Sequence, residues 1–133
     1  MARRTHRSHL LDIYGAWIHL ATDAQQWRSV QRKITSLSED VPESMGRTDL
    51  ALWLPDTGGS TANLVVFIDL RAHTGDILAL VDTVAHEATH AAGALLDHVG
   101  QKYDGNSEAL AYLVGWLTSW IWRHVTTDLE AAS

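Results

Sequence analysis

Ile77, Leu80, Val81, Val84, Ala88, Ala91, Leu95 and Val99 fall at helical spacing and form one long apolar stripe. Thr74-Gly-Asp76 supplies a helix start and Gly100 a stop, so one helix is expected between them. A helix with a stripe of that length must lay it on another apolar surface. A chain of 133 residues is sized for one domain. A second helix is expected over about Ser107–Val125, with Leu110, Leu113, Val114, Leu117 and Ile121 inward. Trp116 and Trp120, four apart on that helix, read as helix packing.

The upstream half reads as strands around one short helix. Leu10–Ala21 is expected to be a bent strand, or two strands meeting at Gly15-Ala16. Asp23 and Gln26 have capping-box spacing, and Trp27, Val30, Ile34 and Leu37 continue a helix over about Ala24–Leu37. Thr48–Leu54 and Ala62–Arg71 read as a hairpin across the turn Asp56-Thr-Gly-Gly-Ser60. The expected fold class is therefore α+β: a small, mostly antiparallel sheet with one upstream helix and two long helices packed on one of its faces. Residues 1–9 are expected to be a flexible basic arm, 10–127 the single domain, and 128–133 a tail.

Composition narrows the chemistry. There is no cysteine, so disulfides, thiolate metal sites and cysteine nucleophiles are excluded. Any transition-metal site must use His, Asp or Glu, and eight histidines are present. Residues 1–33 hold six basic and two acidic residues, whereas the rest hold four and fourteen, so the body is acidic and no nucleic-acid partner is expected. No apolar run reaches the roughly 20 residues of a membrane span. The basic start lacks the apolar stretch of a signal peptide, which points to a cytoplasmic protein. Phosphate-loop, dinucleotide and serine-hydrolase motifs are absent from the sequence.

One motif carries chemistry: His86-Glu87-Ala88-Thr89-His90, an H-E-x-x-H pattern inside the first long helix. Positions i and i+4 share a face, so two imidazoles can grip one metal ion, with Glu87 beside them as a base. Thr83 and Gly93 share that face and are small. A catalytic zinc site needs a third protein ligand. Position 96 is Leu, which cannot coordinate, and His98 points about 80° away from His90 at 100° per residue. Glu108, at the start of the next helix, is the best remaining candidate.

His86-Glu-x-x-His90 followed by Asn106-Ser-Glu108-Ala on a second helix resembles the gluzincin zinc peptidases. The element order resembles their one-domain members, the minigluzincins. Val84–Ala92 with Glu108–Leu117 also resembles small zinc peptidases of tailed bacteriophages and prophages. The motif-bearing likeness covers about residues 76–123. It implies a zincin-like fold and one Zn2+ per chain on His86, His90 and Glu108. Glu87 would be general base, and a peptide or protein the substrate. The strand before the active helix, Leu64–Leu70, would line the cleft and pair with extended substrate.

Many gluzincins carry an Asp four residues after the ligand glutamate, and here that residue is Tyr112. Its hydroxyl could orient a zinc histidine or stabilise an oxyanion. Tyr103 and His124 are further candidates for the oxyanion, and His73 reads as a surface loop residue. The alternative to a peptidase is a non-enzymatic zinc-bearing assembly or interaction protein with a structural or vestigial site.

Overall fold

The computed structural model describes residues 5–34, 37, 40–53 and 61–132. Its elements are β1 (Arg7–Leu11), β2 (Ala16–Ala21), α1 (Ala24–Lys33), β3 (Gly46–Trp53), β4 (Thr61–Ile68), α2 (Ile77–His98) and α3 (Glu108–Ala132). Single 3-10 turns over Asp12–Tyr14 and Leu70–His73 bridge β1 to β2 and β4 to α2. None of the described helices is long and apolar enough to cross a membrane.

The four strands form one mixed sheet in the order β1-β2-β4-β3. β1 pairs antiparallel with β2, and β3 antiparallel with β4, but the central pair β2 and β4 is parallel. The hairpin expectation for β3 and β4 holds, while its turn at 56–60 lies outside the described residues.

Side chains alternate across the sheet, and both faces are covered. Ile18, Leu20, Leu64, Val66 and Ile68 pack with Leu80, Val84, Ala88 and Leu95 of α2 and Leu117 and Ile121 of α3. Ala21, Val65 and Phe67 pack on the other face with Trp27 and Val30 of α1. The expectation that all helices share one face is thus corrected: α1 stands opposite α2 and α3, giving three layers. Parallel pairing of β2 with β4 goes with this, because such strands need a crossover connection, and the chain from β2 to β4 carries α1 across the second face.

α2 buries Leu80, Val84, Ala88, Ala91 and Leu95 as its stripe requires, but Ile77, Val81 and Val99 at the margins are exposed. Gly100 ends the helix at φ 73°, a conformation only glycine adopts without strain.

Near both ends the described residues lie in regular elements. Arg7–Leu11 is strand, and α3 runs to Ala132, so the expected arm (1–9) and tail (128–133) are corrected where they are described. Asp128 joins the two ends: its buried carboxylate accepts from Thr22 Oγ1 at 2.6 Å and Gln26 Nε2 at 3.3 Å, and pairs with Arg7 at 2.8 Å. Burial alone would raise this carboxyl, but hydrogen bonds from Thr22, Arg7 and Gln26 outweigh it and hold the group below the usual carboxylate range.

Ahead of β1, His6 Nδ1 meets Ser29 Oγ at 2.7 Å and His6 Nε2 lies 3.3 Å from His19 Nδ1. Burial, then the charge of His19, Lys33 and Arg32, pushes His6 down to about 4. Burial also lowers His19, with Lys33 adding to it against the opposing hydrogen bond to Asn63. The unfolded chain takes up these protons below about pH 6.5, whereas the folded chain resists. Stability is therefore full above that pH and falls as the pH drops toward 4. Thermal unfolding should show a lower midpoint at pH 5 than at pH 7.5, with a smaller drop in His6→Gln. Equal midpoints at the two pH values would contradict this assignment.

Candidate functional site

α2 is unbroken α-helix through 83–93 and sets the motif as helix geometry requires. His86 and His90 are both exposed on one face, with Nε2 atoms 3.0 Å apart and rings 4.6 Å between centroids. Two nitrogen ligands of a tetrahedral zinc ion sit about 3.3 Å apart, given Zn–N distances of about 2.0–2.1 Å. The imidazole pair fits a shared ion.

Glu87 points the other way around the helix, toward the sheet, and is only 5% exposed. Thr48 of β3 donates its hydroxyl to Glu87 Oε1 at 2.8 Å. The backbone of Gly46, at the start of β3, makes this approach possible. A Cβ there would lie 2.7 Å from Thr83 Cγ2 and 2.9 Å from both Glu87 Cγ and Oε2. Gly46→Ala should therefore destabilise the fold by about 1–3 kcal/mol, since neither the helix nor the strand can back away freely. Urea unfolding checks this, and an unchanged midpoint would mean that β3 does not seat Glu87 as described.

The chain approaching α2 is fixed from below. His73 is buried, not a surface loop residue as expected. Its Nδ1–H donates to the Asp69 carbonyl at 2.6 Å, which leaves Nε2 to accept from the Thr83 hydroxyl at 2.8 Å. Thr83 lies about one turn before His86, so this relay locks the motif-bearing face to the end of β4.

Compared with protein-family models, curated proteins and solved structures, the chain matches none. Function must be read from the site alone.

The expected third ligand is not gathered with the histidines. Among the described residues, no group of three or more His, Cys, Asp or Glu side chains lies close enough to hold a metal ion. Glu108 is exposed at the first turn of α3 and lines a groove with residues 9–14, Tyr112 and Trp116. The cause is helix phase. α3 buries Leu113, Leu117 and Ile121, and Glu108 lies about 180° around the axis from Leu117 at 100° per residue. Tyr112 shares the outward face and is 80% exposed, so the structure does not bring it to the histidines. His124 packs edge-on against Trp120, with ring centroids 4.8 Å apart, away from the motif.

Tyr103 takes the place near the motif. A Cβ on Gly93 would come within 3.0 Å of its hydroxyl, so the phenol of the loop after α2 lies against the helix at that glycine. Gly93 is one turn past His90 on the same face. This close loop residue accounts for a glycine in the helix interior.

The strand expectation also changes. β4 is paired on both sides, so Leu64–Leu70 has no edge free for a substrate. β3 is the outer strand on this side, and it carries the Thr48 that holds Glu87. Gly46, Thr48 and Tyr103 are the residues that sequence reading passed over or ranked low. Only the helix-interior glycine at 93 signalled a close neighbour.

Proposed function

We propose that the protein is a zinc-dependent peptidase of gluzincin type. The observation that carries this reading is the pair of convergent imidazoles, His86 and His90, on the same helix as the buried Glu87 carboxylate anchored by Thr48. When bound, a zinc ion supplies Lewis-acid polarisation of a carbonyl and lowers the pKa of water to about 7. His86 and His90 would hold it. Thr48 fixes Oε1 of Glu87, and the other oxygen, Oε2, is assigned to take the proton of the attacking water and pass it to the leaving amine. Tyr103, rather than Tyr112, is assigned to donate to developing negative charge, a role supported by its hydroxyl lying against Gly93. β3, the outermost of the described strands on this side, is assigned to offer backbone groups to an extended peptide.

Glu108 enters as third ligand through the family resemblance. Its exposed position at the start of α3 means that the 99–107 loop and the first turn of α3 must shift to complete the set. That displacement favours the second reading, a zinc-bearing assembly or interaction protein without activity. An unbiased peptide library separates the two. The zinc-loaded protein should cut a subset of peptides, with cleavage lost to a chelator and restored by zinc. Zinc-loaded protein that cuts nothing would sink the peptidase reading and leave the second.

A further inference from the structure

A different cluster, on the α1 side of the sheet, has the layout of an activated hydroxyl. Ser8 of β1 and His19 of β2 are direct cross-strand partners. Ser8 Oγ lies 2.8 Å from His19 Nδ1, and His19 Nε2 lies 2.8 Å from Asn63 Oδ1 on β4. An amide oxygen only accepts, so His19 carries its proton on Nε2 and has a bare Nδ1, which Ser8 Oγ meets at 2.8 Å and His6 Nε2 at the longer 3.3 Å. The Ser8 hydroxyl must then donate to that nitrogen. His19 and Asn63 are buried, whereas Ser8 is exposed. A solvent-reachable hydroxyl is thus backed by a sequestered imidazole whose tautomer is fixed from behind, the arrangement that activates nucleophilic serines.

We propose that Ser8 is a nucleophile toward activated acyl esters, with His19 as its base and Asn63 orienting the imidazole. Ser8 Oγ forms a bond to the acyl carbon while its proton passes to His19 Nδ1. The bond from the acyl carbon to the leaving oxygen breaks, and that oxygen departs with the electron pair and takes up the proton. Water then bonds to the acyl carbon and gives a proton to His19 Nδ1; the bond from the acyl carbon to Ser8 Oγ breaks, Oγ recovers that proton, and the acid is released.

Two features favour an apolar or aromatic ester. Trp17 stacks on the His19 ring with centroids 6.5 Å apart and planes 21° apart. It is 37% exposed and pairs across the strands with Leu10, itself 40% exposed, so an apolar platform adjoins the serine. β1 is also the outer strand of the sheet. Backbone direction alternates along it, so either Ser8 or both Arg7 and His9 turn an N–H outward, where an acyl oxygen can accept it.

The groups facing His19 are His6, Lys33 and Asn63, and burial keeps the imidazole neutral at ordinary pH. The full chain, incubated with p-nitrophenyl acetate in the presence of a chelator, tests the assignment by mapping acetyl groups to residues. Ser8 should be acetylated about 100-fold faster than Ser119, an exposed serine on α3, in keeping with general-base assistance. In wild type its rate should already be level at about pH 6.5, the ordinary imidazole value, because burial holds His19 below it. Ser8→Ala should remove the fast acetylation and leave the slow background. Labelling of Ser8 no faster than Ser119, or a rate that climbs with hydroxide and shows no plateau, would overturn the proposal. The chelator keeps this result independent of the His86–His90 site.

Discussion

Glu87→Gln should leave zinc uptake at the wild-type level and lower peptide hydrolysis by roughly 100-fold or more, the range typical of losing a general base. The amide keeps the shape of the side chain and can still accept from Thr48 through its carbonyl oxygen, so the seat beside Gly46 is preserved. What it cannot do is take a proton from water. Thr48→Val separates seating from base chemistry. It removes the 2.8 Å hydrogen bond and leaves the carboxylate, so a partial loss of activity is expected. Initial rates on any peptide cut by the wild type decide the matter. Wild-type rates in Glu87→Gln would show that this carboxylate is not the base.

The second large effect is on metal affinity. His90→Ala leaves one imidazole of the converging pair and should abolish zinc binding under conditions that load the wild type. Glu108→Ala should weaken zinc by more than the 10–100-fold typical of losing a partner behind a ligand, if α3 delivers this carboxylate when metal binds. His98→Ala should stay within a few fold, because that side chain is exposed at the last residue of α2 and aims elsewhere. Competition titration with a chromophoric chelator measures all three. Unchanged affinity in Glu108→Ala would remove it from the site and favour a two-histidine centre completed by other ligands.

Much of the architecture was legible because it follows from period. The α2 stripe dictated a long helix on a sheet, and the i, i+4 histidines converge as helix geometry requires. Other signals in the sequence gain their meaning from the two-sided sheet. Leu64-Val-Val-Phe-Ile68 is apolar at every position, without alternation, which is the mark of a strand covered on both faces. That run already argued for a helix on each side and against β4 as a substrate-pairing edge. The phase of α3 was likewise available: Leu113, Leu117 and Ile121 define its buried side, and Glu108 falls opposite.

The remainder depended on contacts between distant segments. Thr48 reaches Glu87 across 39 positions, and Arg7, Thr22 and Gln26 meet Asp128 from the far end of the chain. Such partners are set by strand register and helix docking, which no local pattern encodes.

Elemental analysis of protein folded with zinc and then dialysed shows whether His86 and His90 hold a metal ion. One zinc per chain is expected, falling to none in His90→Ala. Wild-type protein that retains no zinc under these conditions would contradict both the peptidase reading and the zinc-bearing alternative.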